Sequence, residues 1–213
     1  MLIFLSLYFL NDIFAFSGSQ DLCGYCFDTL VNSFDKRNSI LSPSFKNEQH
    51  PIFVTWKKKG QLRGCIGTFS PLPLHSGLQE YALISAKRDD RFRPISVSEV
   101  PDLDVTVSIM HSFEQASRWD DWKVGVHGIR VSLNDGTSIY SATYLPEVMS
   151  ELGWNQEQAI ESCLQKGGYR GKLNDRIKAQ VQVTRYQTSI SKMDYQEYIQ
   201  WRKAKLTSIR GDL

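Results

Sequence analysis

The sequence predicts an α+β fold with a largely antiparallel sheet and flanking helices. Residues 103–109 alternate strictly between apolar and polar side chains, which is typical of a half-buried strand. Asn134-Asp135-Gly136 separates two further strand-like runs, and Asp-Gly tolerates the positive φ angles that tight hairpin turns need. Strand-like and helix-like segments are mixed along the chain, and the clearest strand pairings are hairpins.

The elements follow from apolar periodicity, taken in order along the chain. Residues 21–37 predict an amphipathic helix, and the polar, proline-containing residues 38–51 predict a loop. The remaining predictions are strands at 52–56 and 62–69, a helix at 74–90, strands at 103–109, 124–133 and 137–143, helices at 145–152 and 155–165, a strand at 181–186 and a helix at 194–205.

Length and charge restrict the class of protein. The chain has 213 residues, 41% hydrophobic and 23% charged, which suits one large soluble domain or two small lobes sharing a core. The formal charge of +2 is close to balance, so the sequence carries no strong nucleic-acid signature. Neither a glycine-rich phosphate loop nor a nucleotide-binding fingerprint occurs, and we expect no cofactor.

The cysteines do not form an evident metal or disulfide framework. Cys23 and Cys26 spell C-x-x-C, but they fall within a helical pattern with Leu22, Leu30 and Phe34, and no second ligand pair completes a zinc site. We therefore expect core packing of this pair and no bound metal.

The N-terminal residues 1–20 form an apolar extension. Its apolar run is too short to span a bilayer, which takes about 20 residues, so we expect no transmembrane segment. A secretory signal in residues 1–17 and a mis-assigned start codon are alternative interpretations, the first weakened because no Lys or Arg precedes the apolar run. Residues 201–213 are interpreted as a C-terminal tail.

The hexapeptide Leu62-Arg-Gly-Cys-Ile-Gly67 stands out within its predicted strand. Glycine weakens a strand interior, so Gly64 and Gly67 predict a bulge or the close approach of another group. Strand alternation predicts that Arg63 and Cys65 face the same way, where a guanidinium would favour the reactive thiolate. The alternative is that Cys65 is an inert, buried apolar residue.

This hexapeptide belongs to a longer pattern of sequence blocks. The blocks are Phe53-Val-Thr-Trp56, Leu62 to Phe69, Leu74-His-Ser-Gly77, Arg91-Phe92, Gly125-Val-His-Gly-Ile129, Ala142-Thr-Tyr-Leu-Pro-Glu-Val148, Lys166-Gly-Gly-Tyr169 and Thr184-Arg-Tyr186. In order and spacing they resemble the AMMECR-type family, named for Alport syndrome, midface hypoplasia and elliptocytosis, over residues 21–200. The resemblance implies an α+β fold of a larger and a smaller lobe with a cleft between them, both chain ends in the larger lobe, and an intracellular location in cytoplasm or nucleus. The family has no settled reaction, so the resemblance implies a site and not an activity.

The resemblance and the residue chemistry together give a candidate site. Its catalytic candidate is Cys65. Its binding candidates are Arg63, Gly64, Gly67, Thr68, His75, Asp89, Arg91, His127 and Glu147. His127 lies between glycines and would act as a base or as a polar ligand contact. Asp89 and Arg91 form either a surface pair of little energetic weight or the anion-binding corner of the cleft.

Three functions remain open from the sequence. The first is an intracellular binding or regulatory module whose cleft, around Leu62–Gly67, holds a small anionic ligand or a protein partner. The second is an enzyme, or an accessory of a modification pathway with Memo-type and radical-SAM-type proteins, that uses Cys65 as nucleophile or thiol acceptor. The third is a role linked to nucleic acids, which the balanced charge disfavours.

Overall fold

The computed structural model describes residues 20–211, so the predicted apolar extension lies outside the described residues except for Gln20. Six helices, one 3₁₀ helix and six strands are found within residues 20–211. In chain order they are α1 (Gln20–Phe34), β1 (Gln49–Lys58), β2 (Gln61–Pro73), α2 (Leu74–Lys87), the 3₁₀ helix (Val97–Asp102), β3 (Leu103–Gln115), β4 (Gly128–Asn134), β5 (Ile139–Tyr144), α3 (Pro146–Glu151), α4 (Gln156–Lys166), α5 (Asp175–Gln180), β6 (Gln182–Asp194) and α6 (Tyr195–Gly211).

The chain divides into two compact units. Among the described residues, the first contains 20–109 together with 189–211, and the second is Met110–Thr188. Strands β3 and β6 each pass from one unit into the other. The predicted α+β class, with antiparallel strands and flanking helices, is confirmed; the cleft between lobes stays a prediction.

In the first unit β1 lies between β2 and β3 and is antiparallel to both. The core is built from one face of these strands and from α1 and α2. Its largest fully buried side chains include Trp56, Phe27, Tyr198, Leu22, Leu30, Ile52, Leu74, Leu78 and Ile109. The indole Nε1 of Trp56 donates to the Ala82 carbonyl at 3.0 Å, so the buried polar atom of this large side chain also fastens α2 to β1.

In the second unit β4 lies between β5 and β6, again antiparallel to both. Apolar side chains of β4 alternate onto one face and pack with α4. The buried cluster contains Ile129, Val131, Leu133, Met149, Ala159, Ile160, Cys163, Leu164 and Val183. The predicted turn after β4 is confirmed, with Gly136 at φ +92°.

Several element ends differ from the sequence predictions. Helix α2 stops at Lys87 and not at residue 90, which frees Asp89 from the helix. Strand β6 runs to Asp194, well beyond the predicted residue 186, and α5 was not predicted although Asn174 caps it through the Ile177 N–H.

The last helix replaces the tail expected from residue 201. Trp201 lies against Gly24 of α1, its Nε1 donates to Asp21 at 2.7 Å, and Arg202 pairs with the buried Asp28. Residues 201–211 therefore belong to α6 and extend it six residues beyond its predicted end. Within residues 20–211 no helix has both the length and the apolar character to cross a membrane.

Candidate functional site

A β-bulge decides which way Cys65 faces. Lys58 pairs with Gln61 and Lys57 with Leu62, but Trp56 pairs with Gly64, so Arg63 is an extra residue without a partner on β1. The two-residue turn alone would place Cys65 opposite Val54, whose side chain is in the core. The bulge moves it opposite Thr55, on the face turned away from that core.

The two glycines are explained by the protein's own packing. A Cβ on Gly64 would fall far inside van der Waals contact of the Ser85 carbonyl oxygen, so this glycine lets α2 approach β2 closely. A Cβ on Gly67 would overlap the Ile52 carbonyl and the Phe53 ring. The predicted bulge and close approach are both confirmed, and neither requires a ligand.

Asp89 and Arg91 hold the outer edge of β2 at Cys65. The Cys65 N–H donates to Asp89 Oδ2 at 2.9 Å, and Arg91 Nη2 donates to the Cys65 carbonyl at 3.0 Å. The two side chains also bind each other, with Nε to Oδ1 at 2.8 Å and Nη2 to Oδ2 at 2.6 Å. Together they replace the strand that would otherwise pair with β2 at this residue.

The Asp89–Arg91 pair differs from an ordinary surface pair in its burial. The Asp89 side chain is 2% exposed, whereas that of Arg91 is 52% exposed. Hydrogen bonds from Arg91, then from two backbone N–H groups, hold the pKa of the Asp89 carboxyl far below its usual range despite the opposing effect of burial. The surface-pair interpretation is wrong for Asp89, because its carboxylate is buried and both of its oxygens accept hydrogen bonds.

Arg63 does not contact the thiol. Its Nε and Nη2 bind the Glu99 carboxylate at 3.0 and 3.1 Å, and its Nη1 and Nη2 donate to the carbonyls of Arg93 and Pro94. Hydrogen bonds from Arg63 lower the pKa of Glu99 from 4.5 to about 2. The expected guanidinium–thiol pairing is therefore not found, and Arg63 instead ties the bulge to the segment that carries Arg91.

The Cys65 thiol is half-buried and lies beside a hydroxyl. Thr55 Oγ1 donates to Cys65 Sγ at 3.1 Å, directly across the β1–β2 pair. Cys23, Cys26 and Cys163 are fully buried by comparison, and burial raises the pKa of Cys23 and Cys163 to about 12. Cys65 is thus the thiol with access to solvent, and the predicted core role of the C-x-x-C pair is confirmed.

His75 and Thr68 have structural partners in the first unit. The His75 ring contacts the Phe45 carbonyl through Nε2 at 2.9 Å and lies edge-on to the Phe45 ring. The backbone N–H of His75 donates to Asn47 Oδ1. Thr68 Oγ1 accepts the Ser70 N–H at 3.0 Å. These contacts favour structural roles over the predicted ligand contacts. His75 anchors the 45–48 segment, and Thr68 lies at the register irregularity between the Ile52–Thr68 and His50–Leu72 pairs.

His127 and Glu147 belong to the second unit. His127 Nδ1 accepts the Lys123 N–H at 3.0 Å. Burial, followed by the charge of Arg185, lowers the pKa of its ring, which favours the neutral imidazole. Glu147 lies in the first turn of α3, and its Oε2 is buried with no hydrogen-bond partner among the described residues. Thr188 Oγ1, in the same unit, is likewise buried without a hydrogen-bond partner among the described residues.

The described residues contain no group of three or more potential metal ligands. All four cysteines are free thiols.

Comparison with known proteins agrees with this arrangement of elements. The AMMECR1 family model matches residues 23–191. The chain belongs to the AMMECR1 family. An uncharacterized Arabidopsis thaliana protein is 42% identical over 88% of this chain and 91% of its own length, and an uncharacterized Schizosaccharomyces pombe protein is 35% identical over 84% and 95%.

A solved structure supports the fold assignment. The crystal structure of an uncharacterized protein from Pyrococcus horikoshii superposes with a TM-score of 0.65 at 26% identity, covering 82% of this chain and 90% of that one. The family resemblance inferred from the sequence blocks is therefore confirmed for this AMMECR1-family chain.

Sequence reasoning missed two members of the site. Thr55 contacts the thiol and Glu99 holds Arg63, and neither was singled out. The position of the hairpin turn predicts that Cys65 pairs with Val54, which is one residue from the observed partner Thr55. No local pattern connects Arg63 to Glu99, which lies 36 residues away in a segment predicted to be irregular.

Proposed function

We propose that this AMMECR1-family protein is an intracellular binding module that holds an anionic group at the edge of β2, beside Leu62–Gly67. The anionic group belongs to a small ligand or to a partner's peptide tail. The observation that carries the proposal is the Arg91 guanidinium, which a buried carboxylate holds in place while half of its side chain remains exposed.

A fixed guanidinium is a better anion anchor than a mobile one. Binding a ligand to a flexible side chain costs about 0.5–1.5 kcal/mol of ordering free energy, and Asp89 has already imposed that order on Arg91. Arg91 Nε and Nη2 are occupied, but Nη1 makes no hydrogen bond within the described residues. An incoming carboxylate or phosphate oxygen can therefore bind Nη1 without displacing an existing contact.

The neighbouring charges favour an anion. Residues 87–93 contain four cationic side chains and two carboxylates, and Arg88 and Arg93 are both exposed. One of the two carboxylates, Asp89, is buried beneath Arg91. The solvent-facing charge of this segment is consequently positive, which raises the local concentration of anions.

A titration followed by amide NMR tests the proposal. Sodium acetate and sodium phosphate are each added to the full chain at constant ionic strength, and the shifts of the Cys65 and Gly67 amides are followed. We expect saturable shifts. The dissociation constant should rise about tenfold in Arg91→Lys, since lysine lacks the forked guanidinium that Asp89 holds in place. Arg37→Lys is the matched control, because Arg37 pairs with Asp35 by the same contacts on an open surface.

Equal weakening in the Arg91 and Arg37 variants would show that binding does not depend specifically on Arg91, and the proposal would be wrong. The absence of saturable shifts at Cys65 and Gly67 would contradict it as well.

The proposed location, cytoplasm or nucleus, has one supporting observation. All four cysteines are free, as is usual in a reducing compartment. Sequencing the first residues of the protein purified from its own cells tests the location. Retention of the residues before Gln20 supports it, whereas a chain that begins near residue 18 indicates a cleaved secretory signal.

An enzymatic role is the second candidate, because Cys65 is a half-exposed thiol that receives a hydroxyl hydrogen bond from Thr55. Such a donor stabilises developing charge on sulfur, and the thiol would act as nucleophile or acceptor in a modification pathway. Iodoacetamide labelling, with the modified residue mapped, tests this role. Faster labelling of native Cys65 than of free cysteine, reduced in Thr55→Val, supports it, and labelling only after unfolding removes it.

A further inference from the structure

The outer edge of β2 is covered along only part of its length. Strand β2 has β1 on one side and is the edge strand of its unit. The segment following α2 runs beside this edge, where Arg63 binds the carbonyls of Arg93 and Pro94 and where Asp89 and Arg91 bind the backbone of Cys65. Covering an edge in this way prevents unwanted strand pairing.

Gly67 is the next residue whose backbone points outward. In an antiparallel pair, residues alternate between those bonded to the partner strand and those facing away from it. The register is constant from Gly64 to Thr68. The backbone N–H and carbonyl of Cys65 point away from β1, since they are bonded to Asp89 and Arg91. Gly67, two residues further on, therefore presents its N–H and carbonyl at the same edge.

Arg91 lies on the side of Cys65 that is nearer to Gly67. Along β2 the Cys65 N–H is bonded to Asp89, and the Cys65 carbonyl, which follows it in the chain direction, is bonded to Arg91. The unoccupied Nη1 of Arg91 and the outward N–H of Gly67 are thus successive donors along one edge. Two adjacent donors, one of them cationic, match the two oxygens of a carboxylate.

We infer that the natural ligand of this site is the C-terminal end of an extended peptide, which adds to the β2 edge at Gly67 with its terminal carboxylate on Arg91. The inference rests on the proposed anion site and specifies its occupant. With the carboxylate at the Cys65 end, the peptide runs antiparallel to β2 and uses the Gly67 carbonyl as acceptor for one of its own N–H groups.

The aromatic side chains near Gly67 indicate the preferred sequence. The Phe53 ring covers Gly67 on the face that also carries Cys65, and it lies edge-on to the Phe69 ring at 5.2 Å between centroids. A peptide side chain that points to this face meets apolar surface. We therefore expect an apolar residue within the last two positions of the ligand, where its contact adds to the backbone pairing.

The probe is a library of peptides with six random C-terminal residues and a free carboxylate, selected on the full chain. The matched library carries ten further fixed residues after the random segment, which removes the terminus. We expect enrichment from the first library alone, and at least tenfold weaker binding when an enriched peptide is synthesised as its C-terminal amide. Equal binding of acid and amide would overturn the inference.

Amide hydrogen exchange gives a second measurement at the proposed pairing residue. In the free chain the Gly67 N–H should exchange at least tenfold faster than the Cys65 N–H, which Asp89 already binds. The enriched peptide should slow exchange of the Gly67 N–H at least tenfold. A Gly67 amide that is already as protected as Cys65 in the free chain would contradict the inference, because the edge would then be occupied.

The outcomes separate this inference from the proposed function. Saturable acetate binding that depends on Arg91, without enrichment of any free-carboxylate peptide, would remove the peptide inference and keep the anion site. Enrichment that Arg91→Lys weakens at least tenfold, and that Arg37→Lys leaves unchanged, supports both.

Discussion

Two Asp-x-Arg tripeptides in this protein have the same local geometry and different surroundings. In both, the arginine N–H and Nε bind the aspartate Oδ1 and Nη2 binds Oδ2, in Asp35–Arg37 at 3.0, 3.0 and 2.8 Å and in Asp89–Arg91 at 3.3, 2.8 and 2.6 Å. Both follow the end of a helix. The Asp35 side chain is 38% exposed and that of Asp89 is 2% exposed.

The difference lies in what each pair binds beyond itself. Asp89 also accepts the Cys65 N–H, and Arg91 also donates to the Cys65 carbonyl, so this pair is part of the sheet edge. The Asp35 pair has no such contact among the described hydrogen bonds. The same three-residue motif is therefore a local turn in one place and part of a sheet edge in the other, and tertiary contact decides which.

The largest expected difference between the two pairs is in stability. Asp89→Ala removes the acceptor of the Cys65 N–H and leaves Arg91 without its partner, and we expect the free energy of unfolding to fall by about 2–3 kcal/mol. This value is below that usual for a broken buried pair, because solvent reaches half of Arg91. Urea unfolding of both Ala variants measures the effect, with Asp35→Ala expected to match the parent chain. A similar loss in the two variants would show that burial does not separate the pairs.

The pH dependence of stability is the second expected effect, and it concerns the buried Asp89. Because the pKa of Asp89 is lower in the folded chain than in the unfolded one, its ionised form stabilises the fold above the unfolded value near 3.9, and this contribution is lost as the pH falls through the folded pKa. The stability difference between the parent chain and Asp89→Asn should therefore be largest at neutral pH and should shrink below about pH 4. Urea unfolding at pH 7, 5, 4 and 3 gives the profile, and a difference that does not change with pH would contradict it.

The smallest expected effect concerns the arginines. Arg91→Lys replaces a forked donor by a single ammonium, which cannot bind both Asp89 oxygens and the Cys65 carbonyl together. We expect a loss of about 1 kcal/mol in unfolding free energy, the usual value for one hydrogen bond, and no measurable loss for Arg37→Lys. Faster exchange of the Cys65 N–H should accompany the loss in Arg91→Lys alone. An unchanged Cys65 amide would mean that Asp89 holds the edge without the help of Arg91.

The fold class and most core positions could be predicted because they depend on local periodicity. Apolar alternation in β3 and helical spacing in α1 are properties of neighbouring residues, and the buried positions Leu22, Cys26 and Leu30 follow the predicted face. The hairpin after β4 was equally local, since Asp135-Gly136 specifies its own turn.

The site itself could be predicted only in part, because its decisive contacts join distant residues. One extra residue at Arg63 moves the Cys65 side chain to the opposite face of the sheet. The apolar alternation of the sequence does not show at which residue the bulge occurs. The sequence places Asp89 at a helix end, because a run of charged residues gives the same pattern whether its side chains are solvated or buried. Its partner Cys65 lies 24 residues away.

Burial of three of the four thiols makes the native chain behave as a protein with one cysteine. A maleimide fluorophore or a nitroxide spin label should attach at Cys65 without any prior cysteine replacement. The attached probe would sit on β2, two residues from Gly67, where the emission or the line shape of the label would report on whatever occupies that edge.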